Sequence, residues 1–173
     1  LRMMKGHVDR RKKYGFIAAK TLSNLTNSLL THYSSRDGLK IMRIDRFHDR
    51  ISTFWDKVKD QYNYITERTE DGLNWRYCDK RGGDYLVKEV EEEGEILGYI
   101  VLRINTHRPD YHVGYIVDLL SLQDRPEAAD ALLTDAVAYF DTNRVNEVVT
   151  NTVRGHPYER LLKRHGFLDS RAE

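Results

Sequence analysis

The chain has 173 residues, 40% of them hydrophobic and 32% charged, with a formal net charge of +1. This balance suits one soluble globular core and excludes a disordered or collagen-like chain. No apolar run approaches the roughly 20 residues of a membrane span, and no secretory h-region is present. The single cysteine, Cys78, excludes an intrachain disulfide and a multi-cysteine zinc site, so a reducing cytoplasm is the expected compartment. The small net charge hides an asymmetry. Residues 1–50 carry 12 Lys and Arg against 4 Asp, a surplus of 8; the rest carries 16 basic and 23 acidic residues, or −7. A basic arm on an acidic body suits nucleic acid, attraction between the two parts, or a solvated helix surface.

In chain order, residues 10–33 read as helical on both sides of Gly15, with Leu22, Leu25, Leu29 and Leu30 on one face. "SSRDG" at 34–38 is a turn or linker, and "LKIMRI" at 39–44 a strand. Between Asp45 and Tyr62, the residues Phe47, Ile51, Phe54, Trp55 and Val58 recur at helical spacing and predict an amphipathic helix. "DGLNWRYCDKRGGD" is loop-rich, with Trp75 and Tyr77 as expected anchors. "YLVKEV" (85–90) and "ILGYIVLRI" (96–104) flank a loop containing Gly94 and predict an antiparallel hairpin. A polar loop at 105–112 precedes "VGYIVDLLSL", a central strand. Residues 126–143 predict a helix opened by Pro126, with Leu132, Leu133, Ala136, Val137 and Phe140 buried. "EVVTNTV" is a strand, and "HPYERLLKRHGF" a short helix stopped by Gly166. The expected class is α/β (α+β), with a curved, mostly antiparallel mixed sheet flanked by helices.

This element order, with "VDLLSLQDRPEAADALL" followed by a strand and "LLKRHGF", resembles the GCN5-related N-acetyltransferase (GNAT) family over residues 40–167. The resemblance implies that acetyl-CoA or another acyl-CoA binds as co-substrate. The strand holding Leu119, Leu120 and Leu122 would line the acyl-CoA cleft. The following turn would cradle the pyrophosphate, the family pattern being Arg or Gln, two residues, Gly, one residue, Gly or Ala. Gln123, Pro126 and Ala128 fall on that spacing. Pro126 stands at the first glycine and removes one N–H donor. The N–H groups from Glu127 to Ala129 and the charge of Arg125 remain for an anion, but Asp124 and Glu127 put carboxylates beside it. A strand-to-helix turn without ligand is the alternative.

In the family's last helix a tyrosine can protonate the departing thiolate. Its position here holds Leu162, and the family's asparagine position holds Gly155; Tyr158 lies one helical turn earlier and is the candidate, with packing as its other role. Asp118, a charged residue in an apolar strand, is the acid–base candidate, because burial would raise its pKa. Its other reading is a carboxylate bonded to an arginine or a backbone N–H. His112 is a weaker candidate. Trp75 and Arg76 are candidates for an acceptor pocket, Arg76 pairing with a substrate carboxylate. The seven histidines show no metal spacing, so no metal is expected.

"RKKYGFIAA" (11–19) is similar to "LKRHGFLDS" (162–170). Residues 1–38 are therefore read as a basic helical segment, the tail of a preceding similar domain plus a linker, and 39–173 as the GNAT-like domain. A preceding domain or a second copy of the chain is admitted as partner. The expected activity is acyl transfer from acyl-CoA to a small-molecule or peptide amine, by direct attack. The alternative is a catalytically silent GNAT-like module that binds a ligand or another domain. The basic arm lacks an aromatic-interleaved or groove-reading motif, which disfavours nucleic acid.

Overall fold

The computed structural model describes residues 15–19, 38–62 and 65–170. The expected leucine-faced helix at 21–35 and the basic residues before Gly15 lie outside these. The elements are β1 (Gly15–Ala19), β2 (Lys40–Ile44), α1 (Arg50–Val58), α2 (Glu70–Leu73), β3 (Leu86–Glu92), β4 (Glu95–Arg108), β5 (Tyr111–Ser121), α3 (Pro126–Thr142), β6 (Glu147–Thr152), α4 (Tyr158–Arg164) and β7 (Leu168–Ser170). The seven strands form one sheet in the order β2-β3-β4-β5-β6-β1-β7. Every pairing is antiparallel except β5 with β6. The expected mixed, mostly antiparallel α/β architecture is present.

Strand alternation sorts the two faces. Tyr99 of β4 meets the rings of Phe47 and Phe54, the latter on α1, at centroid distances of 5.3 and 6.2 Å. Lys88 of β3 lies on the other face, where its Nζ bonds Asp135 of α3 at 2.5 Å. Helix α1 buries Ile51, Phe54 and Val58, the stripe its spacing predicts. Helix α3 opens with Pro126, whose missing N–H costs nothing in a first turn, and buries Leu132, Leu133, Ala136 and Phe140. Gly114 of β5 lets α3 come close: a Cβ there would stand 2.7 Å from the Phe140 ring. Val137 is only partly buried. Helix α4 stops at Gly166, which takes φ +82°, as its position predicts.

Three local expectations are corrected. Residues 15–19 are a strand, not helix, and lie between β6 and β7. Gly15–Ala19 pairs on both sides there, with β6 and β7, and this pairing outweighs the local helical reading. The expected polar loop at 105–112 is mostly strand: β4 continues to Arg108, β5 starts at Tyr111, and the turn is Pro109–Asp110. Polar side chains pair across this exposed hairpin, as in Thr106 Oγ1 to His112 Nδ1 at 3.1 Å. The loop-rich stretch at 71–84 holds most of α2, which passes into a π-helical turn at Asn74–Cys78. Thr69 caps α2 by accepting the Gly72 N–H, and Asn74 ties the turn to Phe47 through both backbone groups. Tyr77 is an anchor there, but Trp75 is 72% exposed. Among the described residues no helix is long and apolar enough to cross a membrane.

Candidate functional site

The site begins with a break in strand pairing. Opposite Val101 and Leu102 of β4 stand Asp118 and Ile116 of β5, so Val117 is an extra residue and β5 bulges there. The parallel pairing of β5 with β6 ends at Ile116 and Thr150, although both strands continue. Beyond that point the strands diverge around a cleft of about 260 Å³. Asp118 and Leu119 lie on its β5 side, Thr150 and Asn151 on its β6 side, and His156 and Tyr158 close it.

Asp118 is held by three separate segments. Tyr77 and Tyr99 both donate to its Oδ2 at 3.0 Å, and Arg68 Nη2 approaches to 3.3 Å. Arg68 Nε also donates to the Tyr99 hydroxyl at 2.9 Å. Burial, reinforced by the Asp118 charge, pushes both phenols above their ordinary range. Burial pulls the Arg68 guanidinium down, but Tyr99 and Asp118 outweigh it and hold the group above its usual value. The Asp118 carboxylate is thus the shared acceptor of a polar cluster. Only its Oδ1, which accepts a single longer bond from Arg68 at 3.4 Å, has a lone pair to spare.

Tyr158 sits at the first turn of α4 and reaches back to the end of β5. Its hydroxyl accepts the Ser121 N–H at 2.7 Å and lies 3.1 Å from Ser121 Oγ and 3.2 Å from the Tyr62 hydroxyl. Burial raises its pKa well above the usual phenol value, so it is protonated at neutral pH. Leu162, at the expected tyrosine position, is buried and lines the cleft. His156, which the sequence reading did not single out, lines the cleft and stacks on Tyr62 at 6.0 Å. Burial lowers its pKa, and its Nδ1 accepts the Tyr158 N–H at 3.2 Å. The neutral ring thus carries its proton on Nε2 and offers no free basic nitrogen. The available signal was "GHPY", a histidine just before a helix start.

Among the described residues the turn after β5 has most of its donors engaged, the Asp124 N–H being the exception. The Gln123 N–H donates to Gln61 Oε1 at 2.6 Å, and Gln123 Nε2 to the Gln61 carbonyl at 2.9 Å. Arg125 N bonds Leu122 O, Ala128 N bonds Arg125 O, and Pro126 has no N–H. The Glu127 carboxylate takes up its own N–H; this and Arg125 hold it below its usual pKa against the effect of burial. Arg125 is clasped by Glu127 and by Glu92 at 2.8 Å. Beside the turn, a second groove of about 310 Å³ runs between the start of α3 and α4. Leu122, Gln123 and Ala129 line it, while Leu120 and Ala128 are buried in the core.

The overall fold recurs in solved structures. Neither a family model nor a curated protein matches the sequence. A GCN5-related N-acetyltransferase from Ralstonia eutropha superposes with a TM-score of 0.57 at 17% identity, over 79% of this chain and 96% of that one. This chain has the GNAT fold. Glucosamine-6-phosphate N-acetyltransferase from Arabidopsis thaliana matches with a TM-score of 0.58 at 14% identity, over 78% and 95% of the two chains. An aminoglycoside acetyltransferase from an uncultured soil metagenomic sample matches at 0.55 and 15%, over 76% and 88%.

Within the GNAT fold the structure brings Asp118 and Tyr158 to one cleft. It does not bring Trp75 and Arg76 there. Trp75 lines a separate pocket with Asp45, Arg46 and Asp71, and the Arg76 guanidinium lies 5.3 Å from the Tyr77 ring. His112 is at the far hairpin, its N–H bonded to Asn146. Among the described residues no three His, Cys, Asp or Glu side chains gather to hold a metal ion.

Proposed function

We propose that the chain is an acyl-CoA-dependent N-acyltransferase that acetylates an amine. The observation that carries this reading is the cleft opened where β5 and β6 part after Ile116 and Thr150, with free strand edges on both walls. An extended pantetheine arm can hydrogen-bond such an edge. The amine nitrogen attacks the thioester carbonyl carbon; the N–C bond forms, the C–S bond breaks, and the ammonium proton passes to a base. Catalysis is mainly the holding of two reactants in line. Asp118 Oδ1 is the candidate acceptor of that proton, through water. Tyr158 stands at the cleft end as donor to the leaving sulfur. A thiol near its ordinary pKa of about 8.5 is a stronger acid than a phenol raised above about 10, so Tyr158 supplies a hydrogen bond to the thiolate and not a full proton transfer. The acceptor is a small-molecule or peptide amine. Relatives in fold carry names as different as glucosamine-6-phosphate and aminoglycoside acetyltransferase, so the fold itself does not choose among amines.

A second reading, a silent module of the same fold, is favoured by the engaged donors of the turn at 123–128. Calorimetric titration with acetyl-CoA and with CoA decides between them. Micromolar binding is expected; absence of binding at millimolar ligand, by folded protein, leaves the silent module.

A further inference from the structure

If acyl-CoA enters this cleft, its diphosphate needs cations and N–H donors, and the turn at 123–128 offers few. The Gln123, Arg125, Glu127 and Ala128 N–H groups are already bonded, position 126 has none, and only the Asp124 N–H is left, beside its own carboxylate. Its one cation, Arg125, is neutralised by Glu92 and Glu127. An added dianion would meet those carboxylates at close range.

The opposite wall of the adjoining groove differs. Arg160 and Arg164, four residues apart and therefore on one face of α4, both line it across from Pro126 and Ala129. Among the described residues Arg160 has no carboxylate partner. Arg164 has one, Asp130 at 3.2 Å, and Asp130 is also engaged by His165 at 2.9 Å. The Arg164 side chain is 68% exposed, free to turn toward an anion. Tyr158 lines both the groove and the cleft, so the two adjoin at this residue, with the proposed reacting end at Tyr158 and the arginines outward along α4.

We propose that the diphosphate of the acyl carrier is held by Arg160 and Arg164 of α4, across the groove from the glycine-free turn. The inference rests on the acyl-CoA reading above. Guanidinium forks match phosphate oxygens two at a time, so two of them replace donors that a glycine-rich turn would supply. The groove then selects carriers that bear phosphates over bare pantetheine, with a salt-dependent affinity.

The test is calorimetry with two probes, CoA and pantetheine, on wild type, Arg160→Ala, Arg160→Lys and Arg125→Ala, each checked for an unchanged thermal midpoint. Arg160→Ala is expected to weaken CoA about tenfold, the loss of one charge-assisted hydrogen bond, and to leave pantetheine unchanged; Arg160→Lys recovers part of the loss. Wild type that binds CoA no better than pantetheine, or a loss confined to Arg125→Ala, overturns the arginine assignment and leaves the acyl-CoA reading standing. Wild type that binds neither probe overturns both.

Discussion

The Tyr158 hydroxyl accepts the backbone N–H of Ser121 at 2.7 Å and so fastens the start of α4 to the end of β5. One oxygen is therefore a packing bolt and also the group proposed to donate to the leaving sulfur. Tyr158→Phe keeps the ring and orphans the Ser121 N–H, an expected loss of about 1–3 kcal/mol in urea unfolding. Acetyl transfer is expected to fall by about 10² in kcat while acetyl-CoA affinity stays within severalfold. A variant that loses stability yet keeps full kcat would confine Tyr158 to packing.

Among the described residues Asp118 is the only carboxylate in an ion pair with Arg68, whose side chain is 16% exposed. Asp118→Asn keeps the shape and removes the charge, leaving a half-sealed guanidinium unpaired and two tyrosines with a poorer acceptor. Breaking such a pair costs about 3–5 kcal/mol when fully buried, and somewhat less at this exposure. Chemical denaturation is expected to show a clear drop, and Arg68→Met added to Asp118→Asn to restore part of it. An Asp118→Asn protein as stable as wild type but inactive would instead make proton transfer the whole role of this residue.

These two predictions mark where sequence reading reached its limit. The α1 stripe, the α3 stripe and the 85–104 hairpin follow from local spacing, and they define the fold, because each burial pattern is written within one element. Asp118 was legible as a charged residue in an apolar strand, and Tyr158 as a tyrosine one helical turn before the family's tyrosine position. Their partners were not: Arg68 is 50 residues from Asp118, and Gln61 is 62 from Gln123. No periodicity records such a meeting. The clasp on Arg125 was equally hidden, since Glu92 reaches it from another strand.

Glu89 of β3 is 3% exposed, with its pKa raised to about 7 chiefly by burial; Arg50 pulls it down and Glu91 adds to the rise. The folded chain thus holds a proton that the unfolded chain, with a carboxyl near 4.5, has released. Stability is greatest on this account below pH 4.5 and is lost as pH rises through about 7. Glu89→Gln removes the titration. It is expected to match wild type near pH 5 and to exceed it near pH 8 by about 1–3 kcal/mol, read from urea midpoints. Parallel pH profiles for the two proteins would count against a buried, proton-holding Glu89.

Among the described residues strand β7 hydrogen-bonds to β1 and to no other strand, so it is tied to the sheet through residues from the far end of the sequence. The two similar segments, "GFIAA" and "GFLDS", are antiparallel neighbours, with Phe16 opposite Ser170 and Ala18 opposite Leu168. On its other side β1 pairs Ile17 with Thr150 and Phe16 with Asn151, both on the cleft wall. Proline at position 17 removes an N–H and sterically opposes a central strand. Ile17→Pro should therefore lower stability by about 1–3 kcal/mol, speed amide exchange in β6 and β7 together, and weaken acetyl-CoA binding. If residues 1–38 are only the tail of a preceding domain, the same substitution leaves the exchange of Thr150, Asn151 and Asp169 untouched. Joint loss of protection in both strands would place Gly15–Ala19 inside the GNAT-fold unit and move the domain boundary ahead of it.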